Sequence, residues 1–312
     1  PVAGLLADHL SWRWVFLGVL PLLLGAVLLV RPHLRGLDGP VERAQRGGPE
    51  ALPPRRSRLG PAAIAALGAG LLQYAGQLLS ERTVPAVLLL VVALSLLAVG
   101  VPRLLPRGSF RLGRGLPTVV VLRGFLAGAF FGAETFLPLM LVEQRSLATT
   151  LAGASLTGAA LTWSLGAWLQ GRPGLRVGRS WLLTAGFLLV LAGIALAAAA
   201  TQHDVPVVTA AVGWALAGLG MGLGLTSLSV LVLELSPPHE QGANSSALQV
   251  SDALGSIVLI GAAGAVLAGL GAEGRHGATT FLVIDALMAA VAVAGAVIAP
   301  RVRLAAMSSD TR

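Results

Sequence analysis

The 312-residue chain contains no cysteine and no lysine. Without cysteine there is no disulfide framework, no thiol chemistry and no cysteine metal site, so the redox compartment is unreadable. Without lysine no phosphate-loop motor motif can be built. The five histidines, His9, His33, His203, His239 and His276, are scattered without metalloprotease spacing, and nothing resembles a catalytic triad. No enzyme and no bound cofactor are expected. Charge is also scarce: 12% of residues are charged against 55% hydrophobic, with mean hydropathy +0.81. A soluble domain carries about 25% charged residues, so this chain could not cover a water-facing surface.

Apolar runs fill the chain. The hydrocarbon core of a bilayer is ~30 Å thick and needs ~20 helical residues to cross it. Nine runs meet that length, at 14–30, 61–79, 85–102, 117–142, 149–170, 180–200, 206–232, 243–270 and 279–300. Ala, Leu and Gly dominate them without two-residue alternation, which predicts helices rather than a membrane β-barrel. The expected fold class is therefore all-α, a polytopic helical membrane protein.

All 22 basic residues are arginine, and the formal net charge is +8. Their distribution excludes a nucleic-acid reading. If the nine spans alternate sides, one side receives 17 arginines, in the segments after spans one, three, five and nine. The other side receives Arg13, Arg82, Arg145 and Arg275, and Arg123 lies within a span. Such asymmetry marks the arginine-rich side as cytoplasmic. The connection 233–242 is an exception, with Glu234 and Glu240 but no arginine. The chain opens at Pro1 with no charged segment ahead of an apolar one, so the start is not read as a signal peptide and further chain is expected upstream.

The segments are read as follows: 1–30 holds the first span and the residues before it, and 31–60 is a Pro-, Gly- and Arg-rich cytoplasmic linker. A helix pair follows at 61–102, a basic cytoplasmic loop at 103–116, six closely spaced helices at 117–300 and a cytoplasmic tail at 301–312. Short connections within the six predict that consecutive helices are antiparallel neighbours. Trp12 and Trp14 in "SWRWVF" fit an interfacial anchor, favoured over substrate contact.

The opening stretch "PVAGLLADHLSWRWVFLGVLP" resembles the junction between the fifth and sixth helices of major facilitator superfamily drug:proton antiporters of the fourteen-helix type. There a Gly-Pro-x-x-Gly-Gly motif precedes a Trp-Arg-Trp-x-Phe signature and a proline. Pro1, Gly4, Trp12, Arg13, Trp14, Phe16 and Pro21 match, while the motif's last glycine is Leu5 here. "GRPGLRVGR" at 171–179 resembles the degenerate loop copy in the family's second half, without its Asp. Fourteen helices less five leaves nine: the sixth helix, the family's extra pair and the second six-helix bundle. The resemblance implies two pseudo-symmetric bundles rocking about a central site in the plasma membrane. Protons would enter as a hydrophobic or cationic small molecule leaves, the proton gradient supplying the energy. It also implies N-terminal helices of the same protein as structural partners. A metabolite facilitator or symporter of the same superfamily, or a non-transporting fragment or scaffold, are the alternatives.

Several polar residues stand inside apolar runs. Arg123 and Glu134 in "RGFLAGAFFGAETFLPLM" are eleven residues apart, sharing one helix face at ~16 Å separation, too far to pair. Arg123 is read mainly as a snorkelling side chain near the cytoplasmic end, with cavity lining as the alternative. Glu134 lies deeper and is a candidate for proton exchange, because intramembrane acids are functional by default; a structural hydrogen bond to a neighbouring helix is the alternative. Gly124, Gly128 and Gly132 repeat every four residues on a different side, where another helix can approach closely. Ser245, Gln249, Asp252 and Ser256 form a polar stripe that lines a cavity or bonds to another helix, with Asp252 a second proton candidate. Asp285 is expected in a solvated position near the external surface. Gln73, Gln77 and Ser80 are read as packing residues, "GLGMGLG" at 218–224 as close helix packing, and the "NSS" at Asn244 is discounted as a glycosylation site.

Overall fold

The computed structural model describes residues 21, 23–25, 27–29, 56–78, 83–172, 177–270 and 277–302. The chain divides into two units, 1–57 and 58–312. In the first, the described residues are helical and largely exposed, Pro21 among them. The other matched residues of the opening motif, Pro1, Gly4, Trp12, Arg13, Trp14 and Phe16, lie outside the described residues.

The second unit is built of eight long helices, the first of which begins two residues ahead of the boundary: α1 (Arg56–Leu78), α2 (Thr83–Leu104), α3 (Leu116–Arg145), α4 (Thr149–Gln170), α5 (Arg179–Ala199), α6 (Val208–Glu234), α7 (Gln241–Leu270) and α8 (Ala278–Ile298). No strand occurs among the described residues. Seven of the helices are long and apolar enough to cross a membrane. The other, α4, has the length but carries Thr149, Thr150, Ser155, Thr157, Thr162 and Ser164, which lower its hydropathy.

Backbone proximity explains the packing. α1 and α2 meet at Gly68 and Gly100: a Cβ on Gly100 would lie 2.9 Å from the Ala65 nitrogen. α6 is the central helix of the remaining six, and its glycines face three ways. Gly218 and Gly222 abut α4, where a Cβ on Gly222 would stand 3.0 Å from the Gly166 Cα. Gly213 and Gly220 abut α5 around Gly193 and Gly186. Gly224 faces Leu126 of α3, so the "GLGMGLG" stretch packs closely against three helices, as its apolar context predicts. Helices this close gain dispersion and interhelical bonds, which drive association where lipid supplies no hydrophobic force. Gln170 of α4 exploits the approach: its Nε2 donates to the Leu223 carbonyl at 2.6 Å, and its Oε1 accepts from Ser227 Oγ at 3.0 Å.

One expectation is corrected. α4 and α5 are consecutive, yet each packs chiefly on α6 rather than on the other, and α3 packs most extensively on α7. Short connections limit the distance between helix ends, but small-residue faces decide which helices touch.

The connection between α5 and α6 is held from α3. Arg145 donates to the carbonyls of Ala200 (3.3 Å), Gln202 and Val205 (2.9 Å). Its guanidinium thereby satisfies three acceptors at the helix ends. Arg145→Ala is expected to raise hydrogen exchange across 200–207 and to cost about 1.5–3 kcal/mol, the net worth of a hydrogen bond to a charged group. Exchange unchanged in that loop would refute the clamp.

Candidate functional site

The charged residues inside the bundle form two groups. Arg123 enters from the first third of α3, Asp252 from α7 and Ser229 from the last turns of α6. Arg123 Nη2 donates to Asp252 Oδ2 at 2.9 Å, and Nη1 reaches Ser229 Oγ at 3.4 Å. The side chains are 9% and 21% exposed. This corrects the snorkelling expectation: Arg123 turns inward onto an acid 129 residues away in the chain. The pair is monodentate. Arg123 Nε and Asp252 Oδ1 are buried and lack hydrogen-bond partners. A guanidinium and a carboxylate can instead meet through two parallel bonds, so this geometry leaves half of the contact unused.

The pair sits beside the tightest helix crossing in the bundle's α3–α7 contact. A Cβ on Gly255 would lie 2.6 Å from the Gly124 carbonyl carbon, and one on Gly124 would lie 2.7 Å from both Ser251 oxygens. Gly128 faces Gly255 and Leu259, and Gly132 faces Met288 of α8. The four-residue glycine repeat therefore does what its spacing predicts. Bare backbone at the crossing is what brings a short Asp within reach of Arg123.

The α7 stripe is only partly engaged. Ser256 Oγ bonds back to the Asp252 carbonyl at 2.9 Å, Ser245 is half-buried and Gln249 is exposed. Among the described residues, Asp252 alone of its members makes a side-chain hydrogen bond to another helix. Asn244 is buried and donates to Ser236 Oγ at 2.9 Å, consistent with discounting it as a glycan acceptor.

The second group lies toward the other end of α3. Glu134 Oε1 accepts from Trp214 Nε1 of α6 at 3.4 Å, a long and therefore weak bond. Trp214 is fully buried and stacks on Phe130 at 5.3 Å. Pro138, four residues after Glu134, has no N–H to give the Glu134 carbonyl, so α3 continues there with one helical bond missing. Trp214 also borders a small niche, with room for about one water, together with Phe136, Leu137, Met140, Phe281 and Asp285. Asp285 is thus half-buried against aromatic side chains, not set out in solvent as its place near a helix end suggests.

Gln73 is exposed on α1, while the Gln77 side chain and Ser80 lie outside the described residues. Ser229, Trp214 and Arg145 escape a reading by sequence. A lone Ser or Trp in an apolar run has no periodic partner to mark it, and Arg145 resembles an ordinary helix-end charge. Glu234, the acid that breaks the arginine pattern, is met by Arg179 Nε at 3.1 Å across the α5–α6 ends.

A comparison with curated proteins returns no match. A family model described as the Major Facilitator Superfamily matches residues 1–259, most of the chain. A helical bundle with seven helices long and apolar enough to cross a membrane among its described residues, and with buried charge between them, agrees with that match. The chain belongs to the Major Facilitator Superfamily and is a multi-pass membrane protein of a transporter family.

Proposed function

We propose that this transporter is a proton-coupled exporter of hydrophobic or cationic small molecules, of the fourteen-helix antiporter type. It works by alternating access in a prokaryotic plasma membrane, with its arginine-rich ends in the cytoplasm. The observation that carries this reading is the Arg123–Asp252 pair between α3 and α7. A charge within a bilayer costs roughly 2.5–3.5 kcal/mol or more, so a retained pair of them calls for a use.

Asp252 is the first proton site. Protonating it removes the charge that Arg123 holds, which weakens the polar tie between α3 and α7 and leaves a free guanidinium beside Ser229. Rebinding Arg123 expels the proton. Glu134 is the second site, its weak bond to Trp214 allowing the carboxyl to exchange partners. Ser245, Gln249 and Ser256 extend the polar surface of α7 along which a substrate passes.

The test is pH-gradient-driven efflux by the full-length protein. Glu134→Gln is expected to reduce gradient-driven efflux to background at normal expression. Undiminished efflux would remove Glu134 from the mechanism.

A further inference from the structure

The connection between α2 and α3 is a built turn. Ser109 is buried and its Oγ donates to the Pro106 carbonyl at 2.8 Å. Gly113 N–H donates to the Gly108 carbonyl at 3.1 Å, and Thr118 Oγ1 reaches the Gly113 carbonyl at 2.7 Å. Gly108 at φ 90° and Leu112 at φ 50° bracket a single 3-10 turn, Ser109–Arg111. Gly115 N–H closes the structure onto the Arg301 carbonyl at 3.4 Å, beyond α8.

This ordered backbone displays an unusual surface. Phe110 is 70% exposed. Arg103, Arg107, Arg111 and Arg114 are exposed around it, and residues 103–116 contain no Asp or Glu. Arg103 folds back onto the Val99 carbonyl. Among the described residues, Arg107, Arg111 and Arg114 have no hydrogen-bond or ion-pair partner. The opposite end of the bundle contrasts with this: Arg145 is consumed by three carbonyls, and the connection there carries Asp204.

Both flanking helices are of membrane-crossing length and hydropathy, so the turn lies where hydrocarbon gives way to headgroups. An exposed aromatic ring on a turn that also carries exposed guanidiniums suits that depth: the ring enters the acyl boundary while the cations meet phosphate. We infer that the turn 103–114 is a binding site for the headgroups of anionic phospholipids, with Phe110 as its anchor. Clustered basic residues beside a span attract such lipids with roughly fivefold in affinity per arginine. The inference does not depend on proton coupling or on the substrate.

Native mass spectrometry of the full-length protein in detergent, titrated with phosphatidylglycerol or with phosphatidylcholine of the same acyl chains, tests it. Wild type is expected to retain phosphatidylglycerol preferentially, and added salt is expected to erase the preference. The triple variant Arg107→Gln, Arg111→Gln, Arg114→Gln is expected to bind phosphatidylglycerol about a hundredfold more weakly, at roughly fivefold per arginine. Replacing the same three with lysine is expected to keep the preference, and Phe110→Ala to weaken both lipids. Equal retention of the two lipids by wild type would overturn the site, as would a folded glutamine variant that keeps the preference. Displacement of the lipid by soluble glycerol phosphate at equal concentration would also overturn it, since the turn would then be a phosphate site and not a membrane one. If the glutamine variant does not fold, the wild-type salt dependence decides.

Discussion

Replacing Arg123 alone with leucine is expected to destabilise the bundle by about 3 kcal/mol, whereas replacing Arg123 and Asp252 together with leucines is expected to cost far less. Removing one partner of a buried pair leaves the other charge uncompensated, at roughly 3–5 kcal/mol, while removing both is often neutral or favourable. The lower end applies because Asp252 retains 21% exposure. Thermal unfolding of the solubilised protein gives the stability order. Transport then separates structure from mechanism: the double leucine variant should regain stability without regaining gradient-driven efflux. If stability and efflux recover together, the pair is a scaffold element with no role in coupling.

The second large effect is expected at Gly255. Alanine in a helix is intrinsically favoured over glycine by about 1 kcal/mol. A Cβ at Gly255, however, would clash with the Gly124 carbonyl oxygen and lie 2.6 Å from its carbon, and backbone cannot rotate away. Overpacking of this kind costs typically 1–3 kcal/mol. Gly264, on the same helix, has nothing within 4 Å of the position its Cβ would take. Gly255→Ala and Gly264→Ala should therefore shift the unfolding temperature in opposite directions, down for the first and up or unchanged for the second. Because Gly124 adjoins Arg123 and Gly255 follows Asp252 by three residues, Gly255→Ala should also lengthen the ion pair and reduce efflux. Equal shifts for the two variants would mean that α3 and α7 do not approach as closely as their glycines imply.

Much of this architecture is legible in the sequence because it follows from one-dimensional quantities. Run length and hydropathy locate the helices, and the four-residue repeat of Gly124, Gly128 and Gly132 identifies a packing face. What periodicity cannot supply is the identity of a partner. Arg123 and Asp252 are each visible as charges in apolar runs, but their pairing joins residues 129 positions apart and depends on α3 lying against α7. The same gap misplaces Asp285: six residues inside a span suggests water, while the packing of α8 against α3 and α5 turns it toward Trp214 and a small niche. Consecutive α4 and α5 mislead in the same way, since both prefer the glycine faces of α6.

The measurement closest to the central claim records proton and substrate movement together. Full-length protein is reconstituted in vesicles holding a pH-sensitive dye, and a lipophilic cation gradient is imposed at zero initial pH difference. Coupled antiport predicts that protons move against the direction of the cation, and that Asp252→Asn abolishes this proton flux. Cation movement with no accompanying proton flux, or proton flux unchanged by Asp252→Asn, would contradict the account.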